Sequence, residues 1–161
     1  MLEVQYINFN QLSKVEQDLL NEAEKAMSTA YNPYSNFFVG AALLPKKGEI
    51  VAGSNVENAA YGSTICAERS AIVAANAKEI RQFTKIALIG KGLTFETQEV
   101  LAPCGSCRQM LFESSQVSNF NLELILSNTR KDKIVKATIQ ELLPFGFGPE
   151  DLGINIEKYR K

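Results

Sequence analysis

FFVGAALLPKKGEIVAGSNV, residues 37–56, decides the architecture. "FFVGAALLP" is an apolar run of strand length, "EIVAGSNV" is a second, and KKG between them is a polar turn. The pair reads as an antiparallel hairpin, which makes the sheet that contains it mixed rather than purely parallel. Gly40 stands inside the first strand. It predicts that something packs hard against the backbone there.

Working outward from the hairpin, residues 13–30 read as a helix. Ser13 and Glu16 form a capping box, and Val15, Leu19, Ala23, Ala26, Met27 and Ala30 recur at helical spacing. "YNPYSN" ends it with turn chemistry. After the hairpin, a second helix begins near Cys66 and runs through "AERSAIVAANA". "KIALIG" is a strand, and "CGSCRQMLFES" is a helix opening at its first cysteine. "LELILS" and "KIVKA" are two more strands about a polar turn. Thr138 and Glu141 cap a short helix, "IQELLP", and the Gly- and Pro-bearing end reads as irregular with one turn of helix. Helices alternating with apolar strands imply one α/β layered domain over residues 1–161, built on a central mixed sheet.

The formal charge is −1 and hydrophobic residues make up 45% of the 161. That is enough apolar matter for a core without disulfides. The charge balance argues against nucleic acid as a partner. The cationic segment "RKDKIVK", 130–136, is broken by Asp132 and reads as a solvated turn. No run of 18 or more apolar residues occurs, so no membrane partner is expected. "MLEVQYINFN" lacks the basic start and apolar run of an export leader, which makes the cytoplasm the expected location. In that reducing compartment, close cysteines bind metal or do chemistry more often than they pair.

The chain has three cysteines and no histidine. Cys104 and Cys107 share a helical face at i and i+3, and Cys66 opens another helix. A helix start carries partial positive charge and free N–H groups, which favour the thiolate. Two helix starts facing each other would gather three sulfurs around one point. Soft sulfur selects zinc over magnesium or calcium. A closed structural site needs four protein ligands, and no fourth cysteine or histidine exists here. The empty position is then for water, as in catalytic sites, and zinc can lower the pKa of such water from about 15.7 to about 7. A small buried hydrophobe is the commoner fate of a lone cysteine, but three at helix starts argue otherwise. Glu68, two residues after Cys66, is placed to take and return a proton. Zinc with three thiolates is net negative, and Arg69 and Arg108 each follow a cysteine motif, where they can offset that charge.

Together, "PYSNFFVGAAL", "NVENAAYG", "ICAERSA", "PCGSCRQ" and "ELLPFGFGPEDL" resemble the small zinc-dependent cytidine deaminases, in order and spacing, from about Tyr31 to Leu152. The resemblance implies a three-layer α/β/α fold with a central mixed five-stranded sheet. It implies one Zn²⁺ per subunit on Cys66, Cys104 and Cys107, with Glu68 as proton shuttle. It also implies that Asn55 and Glu57 bind the sugar hydroxyls, that Phe37 packs on the pyrimidine and that the Ala67 backbone reads the base edge. A homotetramer with shared active sites follows from the same resemblance. In it Ala59, Tyr61 and a late phenylalanine reach a neighbour's pocket. Phe147, which begins "FGPEDL", is chosen, and Phe145 competes. Read without the resemblance, "NVEN" is turn chemistry and Phe37 a core residue. The implied reaction is hydrolytic deamination of cytidine and 2′-deoxycytidine to uridine and 2′-deoxyuridine, a step of pyrimidine salvage. The alternatives are a deaminase of another cytosine nucleoside, such as blasticidin S, and a non-enzymatic zinc-stabilised binding module.

Overall fold

The computed structural model describes residues 4–160. Residues 1–3 and 161, which belong to the stretch read for an export leader and to the irregular end, lie outside it. The element order is α1 (Lys14–Ala26), β1 (Phe37–Pro45), β2 (Val51–Ser54), α2 (Ala67–Ala77), β3 (Phe83–Gly92), α3 (Gly105–Ser118), β4 (Glu123–Ser127), β5 (Ile134–Thr138) and α4 (Ile139–Leu142). The five strands form one sheet in the order β2-β1-β3-β4-β5. β1 is antiparallel to both β2 and β3, β3 is parallel to β4, and β4 is antiparallel to β5. The sheet is mixed, as the hairpin requires.

Alternation along the strands explains the unbroken apolar runs. Ala41 and Leu43 of β1, with Ile86 and Leu88 of β3, pack on one face against Ala67, Ala71 and Ala75 of α2 and Leu111 of α3. Ala42, Ala87 and Ile89 point to the other face and meet Leu19, Leu20 and Ala23 of α1. A strand covered on both faces needs apolar residues at every position, and the result is three layers. α1 lies very close to the sheet. A β-carbon at position 40 would stand 1.8 Å from the Ala23 carbonyl oxygen, so only glycine fits.

Strand direction positions the site. β2 and β3 both run against β1 and so run the same way as each other. α2 follows β2 and α3 follows β3, so both helices begin at the same end of the sheet. The start of β1, at Phe37, lies at that end too, opposite Gly92 of β3.

Element limits differ most from the expectation at three places, each for a local reason. α1 stops at Ala26 and tightens into a 3₁₀ turn over Met27–Thr29. There the Ser28 and Thr29 hydroxyls donate to the Lys25 and Ala26 carbonyls at 2.8 and 2.9 Å. β2 is only Val51–Ser54, because Val56 leaves the ladder to bridge Tyr31 and Ile65. α3 continues past "FES" to Ser118 and ends on Asn119 in the left-handed conformation. Its polar second half is buried because Ser114 and Ser118 bond back to the carbonyls four residues earlier. The "RKDKIVK" cations pair with carboxylates: Arg130 with Glu96, Lys131 with Glu24, and Lys133 with Glu99. Among the described residues no helix is long and apolar enough to cross a membrane.

Candidate active site

Cys66 and Cys104 are the N-caps of α2 and α3, both in extended backbone just before the first turn. Neither side chain caps its own helix, so both thiols remain available. Cys107 sits in the first turn of α3. The three Sγ atoms lie within 4.8 Å of one another, and Cys66 and Cys104 are 4.0 Å apart. Cys107 is buried, Cys66 half-buried and Cys104 exposed, so the cluster opens toward solvent on one side.

Charge at the cluster is unevenly shared. The hydrogen bond with Cys107 brings the Cys66 thiol down to about 5; burial opposes this, and Arg69 assists. Cys107 moves the other way, raised by the same hydrogen bond and by burial. Cys66 therefore becomes a thiolate, the ligating form, more readily than Cys107. The Arg69 guanidinium donates from Nη2 to the Thr64 carbonyl at 2.8 Å and to Cys66 Sγ at 3.8 Å. Its Nε–H is buried without a hydrogen-bond partner among the described residues. Three sulfurs, an open side and a cation with a spare donor beside them fit a thiolate-bound metal with room for one more ligand.

Glu68 stands in the first turn of α2 and is 4% exposed. Burial pushes its carboxyl above the usual range; its own backbone N–H pulls it partly back, and the charge on Cys66 pushes it up again. A carboxyl in this state holds a proton more readily than a solvated one.

A second group of residues forms a rim at the start of β1. Asn55 is buried, with its side chain bonded along β1. Its Oδ1 accepts from the Val39 N–H and its Nδ2 donates to the Phe37 carbonyl, both at 2.9 Å. Glu57 Oε2 accepts from the backbone N–H groups of Tyr34 and Ser35 at 2.9 and 3.1 Å. The Ser35 hydroxyl and these amides lower its pKa. Tyr34, Ser35, Glu57, Tyr61 and Thr64 line a hollow of about 300 Å³. A larger hollow of about 580 Å³, under the C-terminal segment, touches none of the cysteines.

With this geometry in hand, comparison with known proteins is direct. The sequence model of the family described as "Cytidine and deoxycytidylate deaminase zinc-binding region" matches residues 13–122. The chain belongs to this family. The cytidine deaminase of Sporosarcina psychrophila is 39% identical over 142 residues, 88% of this chain and 98% of its own. That of Halalkalibacterium halodurans is 41% identical over 136 residues, 84% of this chain and 96% of its own. The crystal structure of cytidine deaminase from Burkholderia pseudomallei, 38% identical, superposes with a TM-score of 0.73 over 84% of this chain and 100% of its own. The three-layer fold is thus that of the cytidine deaminases, and zinc is the metal that the family and the sulfur donor set both name.

Within this deaminase fold, the structure brings Cys66, Cys104, Cys107, Glu68 and Arg69 together. Asn55 bonds through its side chain to the Phe37 carbonyl, while the Glu57 side chain bonds to the Tyr34 and Ser35 amides rather than to Phe37 or Asn55. Ala67 is the fully buried first residue of α2. Ala59 is exposed, and Tyr61, 74% exposed, sets its ring edge-on to Tyr34 at 5.7 Å. Phe145 and Phe147 are both exposed on the loop after α4. Arg108, expected to help offset the thiolate charge, bonds to carbonyls. It donates to the Pro103 carbonyl at 2.9 Å and the Leu142 carbonyl at 3.1 Å, so it fixes the backbone beside Cys104 and ties α4 to α3. Gln109 adds a bond from Nε2 to the Phe147 carbonyl at 2.6 Å. Sequence reasoning missed Tyr34 and Ser35 as the amides that hold Glu57. The signal was the "NPYSN" turn, whose Tyr34 and Ser35 N–H groups lie outside any strand or helix and so are open to a carboxylate.

Proposed function

We propose that this protein removes the exocyclic amino group of cytidine and 2′-deoxycytidine by hydrolysis, giving uridine or 2′-deoxyuridine and ammonia. The reading rests on one observation above all: three thiols at two helix starts, open on one side, with a buried carboxyl two residues from the first of them. Cys66, Cys104 and Cys107 would hold zinc, which supplies a Lewis-acidic position that lowers the pKa of a water molecule. Glu68 takes a proton from the attacking water, delivers it to N3 of the pyrimidine and then helps the amino nitrogen leave as ammonia. Its raised pKa suits the return of that proton. Arg69 offsets the thiolate charge.

The rim binds the nucleoside. Phe37 lies against the pyrimidine, and the Ala67 backbone reads its edge. Asn55 Nδ2 has a second N–H, and Glu57 a second oxygen, to engage the sugar hydroxyls. A site built to bond a hydroxyl rejects a ligand that lacks it, here the free base. Ala59, Tyr61 and Phe147 stand exposed beyond this rim and would complete the pocket of a neighbour in a homotetramer. The whole of 1–161 acts as one domain, with Arg160 near its end bonded to the Val117 carbonyl of α3 at 2.9 Å. Three free cysteines that must stay reduced support a cytoplasmic location, where the enzyme would serve pyrimidine salvage.

The test is the loss of the cytidine absorbance band with purified protein, before and after treatment with a zinc chelator, alongside its mass in solution. Turnover that disappears with the metal and returns with added zinc is the expected result. No turnover of cytidine by the zinc-loaded protein, or full turnover after chelation, overturns the reading.

A further inference from the structure

We propose that Phe95 is a positioning residue for the nucleoside, acting through Phe37; this rests on the proposed contact between Phe37 and the pyrimidine. Phe95 lies in the segment between β3 and α3. Its ring centroid is 6.1 Å from that of Phe37, the planes tilted by 32°. That is within the range in which aromatic pairs attract.

The segment is shaped to hold this ring in place. A β-carbon at position 92 would stand 2.1 Å from Phe95 Cε1 and 2.3 Å from Cδ1, so Gly92 is the floor on which the ring lies. A β-carbon at position 90 would stand 3.2 Å from Phe37 Cε1 and 3.0 Å from Leu101 Cδ2. The end of β3 is thus stripped of side chains at 90 and 92, the first beneath Phe37 and the second beneath Phe95. Backbone bonds close the turn: Gly92 N–H donates to the Phe95 carbonyl and Leu93 N–H to the Asn36 carbonyl, both at 2.9 Å. Asn36 is the left-handed residue directly before Phe37. The Thr97 and Thr129 hydroxyls, 3.0 Å apart, both reach the Gly90 carbonyl. The loop is therefore fastened to each side of Phe37.

Phe95 is nevertheless 58% exposed. A ring left so far in water, with three sets of hydrogen bonds keeping it against another ring, adds little to the core. Its effect is on Phe37, which it stops from tilting away from a stacked base.

The experiment uses the zinc-loaded enzyme and steady-state kinetics with cytidine. Phe95→Ala should raise KM about three- to tenfold, the range expected from one aromatic pair, and leave kcat within about twofold. Phe95→Tyr should restore the parent KM. Gly92→Ala, which drives the ring off its floor, should copy Phe95→Ala. In a Phe37→Ala background, the loss of Phe95 should add nothing. Phe95→Leu carries the same test with a smaller rise should the alanine variant not fold. An unchanged KM in Phe95→Ala or Phe95→Leu, with a raised one in Phe37→Ala, sinks the positioning role and spares the site. An unchanged KM in Phe37→Ala removes the contact itself, and the inference falls with it. Losses of kcat that track falling thermal stability would mark Phe95 as structural only and also overturn the inference.

Discussion

The metal pole and the proposed nucleoside rim are built on different principles. The pole is made of side chains: three sulfurs, a carboxyl and a guanidinium, gathered because two helices start at one end of the sheet. The rim is made largely of backbone. Asn55 bonds to Phe37 and Val39, and Glu57 to Tyr34 and Ser35, all through main-chain groups. The residues of the pole all come from one chain. The rim ends in exposed aromatics, with Tyr61 at 74% and Phe147 at 58%. The lesson is that chemistry and recognition can be separated in such a fold: one depends on ligand identity, the other on where loops are pinned.

The sharpest way to break the comparison is at Glu68. Glu68→Gln should lower kcat by about 10²–10⁴-fold, the usual worth of a positioned acid–base group, with zinc content by elemental analysis unchanged. Zinc lost along with activity would mean that the carboxyl belongs to the metal's support rather than to proton transfer.

A control lies on the far face, where Glu16 of α1 is buried between Lys136, at 2.5 Å, and Lys85. Burial alone would raise its pKa, but the Lys136 bond and the Ser13 backbone and hydroxyl outweigh it and lower the value from 4.5 to about 2. A pKa depressed on folding stabilises the folded state fully above about pH 4.5, and that contribution is lost as pH falls through about 2. It amounts to at most about 3 kcal/mol, less the screening of the partly exposed Lys136. Denaturant unfolding of Glu16→Gln should therefore show a flatter acid limb over this window. Kinetic constants near pH 7 should match the parent, since neither pole nor rim touches this residue.

Arg69 and Arg108 sharpen the contrast within the pole itself. Arg69→Ala should weaken zinc retention about 10- to 100-fold, as loss of a partner to a ligand does, measured by competition with a chromophoric chelator. Arg108→Ala should leave zinc retention nearer the parent value and loosen the loop after α4, seen as faster amide exchange at residues 143–148. Equal effects on zinc would mean that the Arg108 bonds to Pro103 and Leu142 matter less than its charge.

In the rim the effects divide between stability and binding. Asn55→Ala should cost about 1–3 kcal/mol in unfolding free energy, because it leaves the Val39 N–H and Phe37 carbonyl without partners. Glu57→Gln should change stability far less while raising KM. Thermal unfolding beside kinetics separates the two. A stable Asn55→Ala protein would show that the amide serves the ligand and not the strand.

Legibility in the sequence follows the same division. The cysteine cluster was readable because metal ligation depends on residue type and spacing, and two helix starts bring the thiols to one point; Glu68 lies beside them because it follows Cys66 in the first turn of α2. The capping boxes at Ser13 and Thr138 were readable for the same reason, since each is a local pattern. Gly40 announced the close approach of α1. The end of α3 was not readable, because its buried serines look polar until their hydroxyls are seen bonding back into the helix. The carbonyl partners of Arg108 were not readable, because a guanidinium after a cysteine can as easily serve carbonyls as sulfur. Phe95 gave no signal, since Phe37 is brought to it only by the register of β1 on β3.

The shared direction of β2 and β3 has one more outcome. Cys66 and Cys104 are 38 positions apart in the chain, yet their sulfurs nearly touch. An ion coordinated by both would act as a cross-link that closes this long span, so the enzyme's catalyst would double as a rivet. Stripping it should lower the melting temperature as well as silence the chemistry.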